Sequence, residues 1–152
     1  MKLATTEQRA VLQRASAILE QLAREERAEY LNHPDLARQI VRARLTGLDR
    51  EQMDVLYLNS QNALIAAETL FLGTIDQTAV YPREVARRAL LHNATNVILA
   101  HNHPSGNREP SQADRTITTR IRDALWLFEI RLLDHFVVGD GDPVSMAELG
   151  YV

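Results

Sequence analysis

The period of apolar and polar positions changes along the chain, and the changes mark the elements. Between residues 5 and 29, Val11, Leu12, Ala15, Ile18, Leu19 and Leu22 recur at helical spacing with charged residues between them, which predicts an amphipathic helix. That stripe is open to packing on the core or on a second subunit, the latter giving a homo-oligomer, while Arg24-Glu25-Glu26-Arg27 reads as a solvated face. Asn32-His33-Pro34 is a stop and restart with His33 in a loop or at a helix start. Leu36, Ile40, Val41 and Leu45 then predict a second helix closed by Gly47.

From Met53 the pattern becomes that of strands. Met53 to Asn59, a turn through Ser60-Gln61-Asn62, and Ala63 to Phe71 predict a hairpin that ends at Gly73. A third extended piece around Thr78 to Val80 leads to Pro82, which suits a first helical turn, and Val85, Ala86, Ala89 and Leu90 supply one face of that helix. Asn96 to Ala100 is a short apolar strand. A helix from about Ser111 to Phe128 carries Ile117, Ile121, Ala124, Leu125 and Phe128 on one face, and Ile130 to Val138 reads as a final long strand. The predicted order is α-α-β-β-β-α-β-α-β, without internal repeats.

Composition narrows the function classes. The chain of 152 residues with 45% hydrophobic content has room for one real core, and it contains no cysteine, which excludes disulfides and cysteine zinc sites. The segment MKLATTEQRAVLQ lacks the apolar run of a signal peptide, and no apolar stretch is long enough to span a bilayer, so a soluble cytoplasmic protein without membrane partners is expected. A formal net charge of -3 and a pI near 5.9 count against a domain that neutralises phosphates of duplex DNA on its own.

The candidate chemistry lies in His101-Asn102-His103-Pro104-Ser105-Gly106 and Pro110-Ser111-Gln112-Ala113-Asp114, three potential metal ligands within fourteen positions. Histidines at i and i+2 of an extended segment point to the same side. Pro104 and Gly106 break the strand, and Pro110-Ser111 begins a helix with Ser111 as N-cap and Asp114 in the first turn, which returns a carboxylate toward the imidazoles. Two histidines and a carboxylate leave a fourth tetrahedral position for water, the pattern of a catalytic zinc site. The plainer reading of Ser111-x-x-Asp114 is a capping pair alone.

These residues resemble the JAMM motif of the JAB1/MPN/Mov34 metalloprotease superfamily: an upstream glutamate, His-x-His-Pro, and Ser-x-x-Asp, with ten residues, here 104 to 113, between the second histidine and the aspartate. The wording HNHPSG with PS-x-x-D after it is similar to the bacterial RadC family, historically labelled DNA repair proteins. Further stretches agree: Leu58-Asn59-Ser60-Gln61-Asn62, Phe71-Leu72-Gly73-Thr74-Ile75-Asp76, Tyr81-Pro82-Arg83-Glu84-Val85 and Leu133-Asp134-His135-Phe136-Val137-Val138-Gly139. The resemblance spans roughly residues 33 to 150. It implies an α/β (more strictly α+β) MPN/JAB-type domain, a mixed sheet flanked by helices in a cytidine deaminase-like layout, over residues 33 to 152, with residues 1 to 32 as an N-terminal helical extension.

The resemblance further implies Zn2+ held by His101, His103 and Asp114, a glutamate general base, and Ser111 donating to the developing oxyanion, although a helix N-cap alone also accounts for Ser111. Glu51, Glu68, Glu84 and Glu109 are the candidates for the base. In the superfamily this glutamate stands at the start of the first strand, and Glu51 immediately precedes Met53 to Asn59, so topology favours Glu51. His135 reads as a core histidine or one behind a ligand, His92 as a helix C-terminal partner, and Trp126 and Tyr57 as packing residues. The implied reaction is hydrolysis of a peptide or isopeptide bond in a protein or peptide substrate that the sequence does not specify. The rivals are a metal-dependent nuclease and a non-enzymatic accessory module of repair or mobile-element machinery. Longer RadC proteins carry an upstream helix-hairpin-helix segment, whereas residues 1 to 32 read as one helix, which counts further against direct DNA binding.

Overall fold

The computed structural model describes residues 2–25, 34–73 and 80–152. Its elements are α1 (Thr6–Glu25), α2 (Pro34–Leu45), β1 (Gln52–Leu58), β2 (Leu64–Leu72), α3 (Pro82–Leu91), β3 (Asn96–Asn102), α4 (Gln112–Trp126), β4 (Arg131–Val138) and β5 (Val144–Ser145). Five strands form one mixed sheet in the order β2-β1-β3-β4-β5. β1 is antiparallel to β2 and β3, β3 and β4 run parallel with α4 as the crossover, and β5 returns antiparallel to β4. Helices cover both faces.

β3 is the central strand and every one of its residues is buried, which explains why it reads as a short apolar run. Odd-numbered Met53, Val55, Tyr57, Val97 and Leu99 meet α3 and α4 through Val85, Ala89, Ile117, Ile121 and Leu125. Even-numbered Leu56, Leu58, Ile98 and Ala100 meet α2 through Ala37, Ile40, Val41 and Leu45, with Ala23 of α1 joining them. The expected strand around Thr78 to Val80 falls largely outside the described residues, and Val80 is buried without regular structure. The expected stop at Asn32-His33 also lies outside them, as do Glu26 and Arg27.

Helix α1 turns only part of its predicted apolar stripe inward: Leu12, Ala15 and Leu19 are half-buried, and Leu19 packs against the core. Ser16 and Ala23 are buried, whereas Val11, Ile18 and Leu22 are exposed. The segment ahead of α1 and its first turn are pinned to the turn after α2: Ala4 N–H donates to Gly47 O at 3.1 Å, and Arg9 reaches Thr46 O at 2.8 Å. Gly47 has φ +73°, and a Cβ there would stand 2.5 Å from Ala4 Cβ, so the turn after α2 requires glycine on both counts. Trp126 is likewise not a packing residue: it is 64% exposed at the end of α4, which stops there, leaving Phe128 outside the helix and Glu129 at φ 58° in the turn.

The layers are tied by one buried carboxylate. Asp54, fully buried on β1, accepts from Arg44 of α2 and, at 2.8 Å, from Gln52 and Thr69, and Arg44 also donates to Glu20 of α1 at 2.8 Å. Arg44→Met removes the cation and leaves Asp54 uncompensated, which should destabilise the fold by about 3 kcal/mol, the lower end for a buried pair. Arg44→Met with Asp54→Leu should recover much of that loss in denaturant midpoints. An undiminished midpoint in the single variant would show that the pair is energetically idle.

Candidate metal centre

His101 extends the row of inward odd positions on β3, where Val97 and Leu99 enter the core, and it is fully buried. His103 stands two residues on. Its N–H donates to Val138 O at 2.9 Å, so the chain stays beside β4 past the end of β3 and both imidazoles share one side. The turn behind them is seated against the next strand end: Asp140 N–H donates to Gly106 O at 2.8 Å, and a Cβ on Gly139 would lie 2.4 Å from that oxygen. Glycine at 139 lets the two loops meet.

Helix α4 begins with a full capping box. Ser111 Oγ accepts from Asp114 N–H at 3.1 Å, and Asp114 Oδ2 accepts from Ser111 N–H at 2.7 Å. The same carboxylate turns toward the histidines, with Oδ1 3.2 Å from His101 Nε2 and Oδ2 3.4 Å from His103 Nε2, and the two Nε2 atoms are 3.0 Å apart. Capping and convergence on the imidazoles are therefore one arrangement. Among the described residues, His101, His103 and Asp114 form a group that could hold a metal ion.

The electrostatics fit a cation. Burial would raise the Asp114 carboxyl, but hydrogen bonds and charge from His101 and His103, together with Ser111, outweigh it and hold the carboxyl well below the ordinary range. His103 is pushed up, first by its contact with Asp114, against burial, with Asn107 O and the charges of Asp114 and Glu51 adding to the rise. His103 Nδ1 lies 2.7 Å from Asn107 O. A carbonyl only accepts, so Nδ1 donates, and in the neutral ring the Nε2 lone pair faces the centre. His135 sits behind His101, with Nε2 2.8 Å from His101 Nδ1, and burial first, then the charge of His101, drives it well below its ordinary value. It backs the group and lies outside it.

The glutamates separate by position. Continuing the register of Met53 opposite His101 by two places sets Glu51 level with His103, and its charge acts on that imidazole. The backbone on both sides of Glu51 is clamped by the buried Asn102: its Oδ1 accepts Gln52 N–H at 2.9 Å and its Nδ2 donates to Arg50 O at 3.1 Å. Gly73 N–H donates to Glu51 O at 2.9 Å. Glu68, opposite Val55 on β2, is held by Arg88 and by His92 at 2.8 Å; the Arg88 hydrogen bond, against burial and with help from His92, lowers its carboxyl to about 2. Glu84 pairs with Arg87 at 3.0 Å within α3, and Glu109 is exposed in the loop before α4. Ser111 stands at the rim as the N-cap. Asn102 and Thr118 were not anticipated, yet each carried a signal: a polar residue between the two histidines of a buried strand, and a threonine four residues after Asp114.

A family model described as RadC-like JAB domain matches residues 31–151. The chain is similar to a UPF0758 protein of Vibrio cholerae serotype O1 (strain M66-2), 56% identical over 126 residues that make up 83% of this chain and 56% of that protein. A UPF0758 protein of Xanthomonas campestris pv. campestris (strain 8004) is 54% identical over 127 residues, 84% of this chain and 56% of that one. One from Ectopseudomonas mendocina (strain ymp) is 50% identical over 143 residues, 94% and 63% respectively. The chain thus spans little more than half the length of these relatives. No helix among the described residues is long and apolar enough to cross a membrane.

Proposed function

The chain belongs to the RadC-like JAB domain family, and from that membership we propose that it is a zinc-dependent hydrolase of the JAMM type, cleaving a peptide or isopeptide amide bond in a cytoplasmic protein or peptide substrate. In this reading His101, His103 and Asp114 hold the ion, Glu51 is the general base and Ser111 donates to the oxyanion. The observation that carries it is the convergence of His101 Nε2 and His103 Nε2, 3.0 Å apart, on Asp114, at 3.2 Å from Oδ1 and 3.4 Å from Oδ2 respectively, His103 with its outer nitrogen already engaged. Lone pairs held face to face repel, and a cation between them reverses the sign.

Bound zinc supplies Lewis acidity, lowering the pKa of water and polarising a carbonyl. The residues of the chain do the rest. Glu51, on a backbone clamped by Asn102 and Gly73, takes the proton of the attacking water and returns it to the leaving amine. Ser111 keeps its hydroxyl proton free for a substrate oxygen, because its Oγ accepts from Asp114 N–H in the cap. Three protein ligands leave a coordination position for substrate or water, which separates this set from a closed structural site.

The test is elemental analysis of protein purified without added metal or chelator, followed by a screen of peptide and isopeptide bonds. About one zinc per chain with chelator-sensitive cleavage is expected. A native protein that takes up no zinc even on reconstitution would refute the metallohydrolase reading.

A further inference from the structure

We propose that Thr118 and His135 are positioning residues that fix the proton on His101, leaving its Nε2 lone pair aimed at the ion before the ion arrives; this rests on the metal-site reading above. The backbone oxygen of Asp114 can only accept. Thr118 Oγ lies 2.5 Å from the backbone oxygen of Asp114, one helical turn earlier. Two oxygens approach that closely only with a proton between them, so the hydroxyl donates to the carbonyl.

The remaining choices follow in order. Thr118 Oγ is also 2.7 Å from His135 Nδ1, and with its proton committed it accepts there, so His135 carries its proton on Nδ1. His135 Nε2 then offers a lone pair to His101 Nδ1 at 2.8 Å. The neutral His101 ring therefore donates from Nδ1, and its Nε2 is bare toward His103 Nε2 and Asp114 Oδ1. His101, Thr118 and His135 are each fully buried, so water does not offer substitute partners. The chain begins on the peptide of one proposed ligand and ends on the ring of another, tying the start of α4 to β3 through β4. A carboxylate behind a ligand histidine would bury a further negative charge; an imidazole backed by a hydroxyl gives the same orientation without one.

Two measurements on the full chain decide it. Long-range proton–nitrogen NMR of protein labelled with 15N-histidine, with and without zinc, should find His135 protonated at Nδ1 and unprotonated at Nε2. The reverse tautomer would overturn the relay. In chelator competition Thr118→Val, which keeps shape and loses the hydroxyl, should bind zinc about tenfold more weakly, His135→Phe roughly ten- to a hundredfold more weakly, and Thr118→Ser should restore native affinity. Native affinity in Thr118→Val and His135→Phe would overturn the relay while leaving the metal site standing. Failure of the native chain to bind zinc would instead refute the metal reading, and the tautomer of His135 would still decide the relay.

Discussion

Replacing Asp114 with alanine is expected to strip stoichiometric zinc from the protein and leave it folded. In the proposed site Asp114 is the anionic member, set 3.2 and 3.4 Å from the two histidine nitrogens. If the roughly 10–16 kcal/mol gained by a zinc site is shared over four positions, one ligand is worth on the order of 3 kcal/mol, more than a hundredfold in affinity. The fold loses much less. The carboxylate accepts Ser111 N–H in the capping box, and removing such a cap costs about 1 kcal/mol, a few degrees in melting temperature for a domain of this size. Elemental analysis after gel filtration, beside far-UV circular dichroism, reads both effects. His103→Ala should behave likewise. Full zinc in either folded variant would remove that residue from the ligand set.

Much of this arrangement is legible from local chemistry. His-x-His on a strand and Ser-x-x-Asp at a helix start follow from backbone periodicity and capping, which act within a few residues, and the structure brings the three side chains together as that reading expects. Elements set by distant partners are less legible. The two-residue β5 exists only because β4 offers an edge, with Phe136 opposite Ser145 and Asp134 Oδ2 accepting from Ser145 Oγ at 2.6 Å. Nothing in Val144-Ser145 alone announces a strand. In α1 the largest apolar residues do not all mark the buried face: Ser16 and Ala23 are buried while Val11 and Ile18 are exposed, because packing on α2 sets the inward face, where Ala23 joins Ala37, Ile40 and Val41. Asn102 follows the same logic. Between two histidines it looks incidental, and only the antiparallel register of β1 and β3 brings it against the backbone beside Glu51. Register also separates Glu51 from Glu68, which sequence proximity leaves open.

That separation leads to the second large effect: Glu51→Gln should keep its zinc and lose turnover. The substitution preserves length and shape and leaves His101, His103 and Asp114 in place, so metal content should match the native protein. An amide cannot take a proton from the attacking water, and loss of a general base lowers kcat by about 10²–10⁴. KM should change little, since the base contributes to the transition state and not to holding the substrate. The alternatives are worse placed: Glu68 is committed to Arg88 and His92, and Glu84 to Arg87 on an exposed turn of α3. Steady-state kinetics on a cleavable peptide or isopeptide, with zinc measured on the same sample, separates the outcomes. A zinc-loaded Glu51→Gln protein with native kcat would move the assignment to Glu84 and would leave the Asn102 clamp as a structural contact of the β1 start.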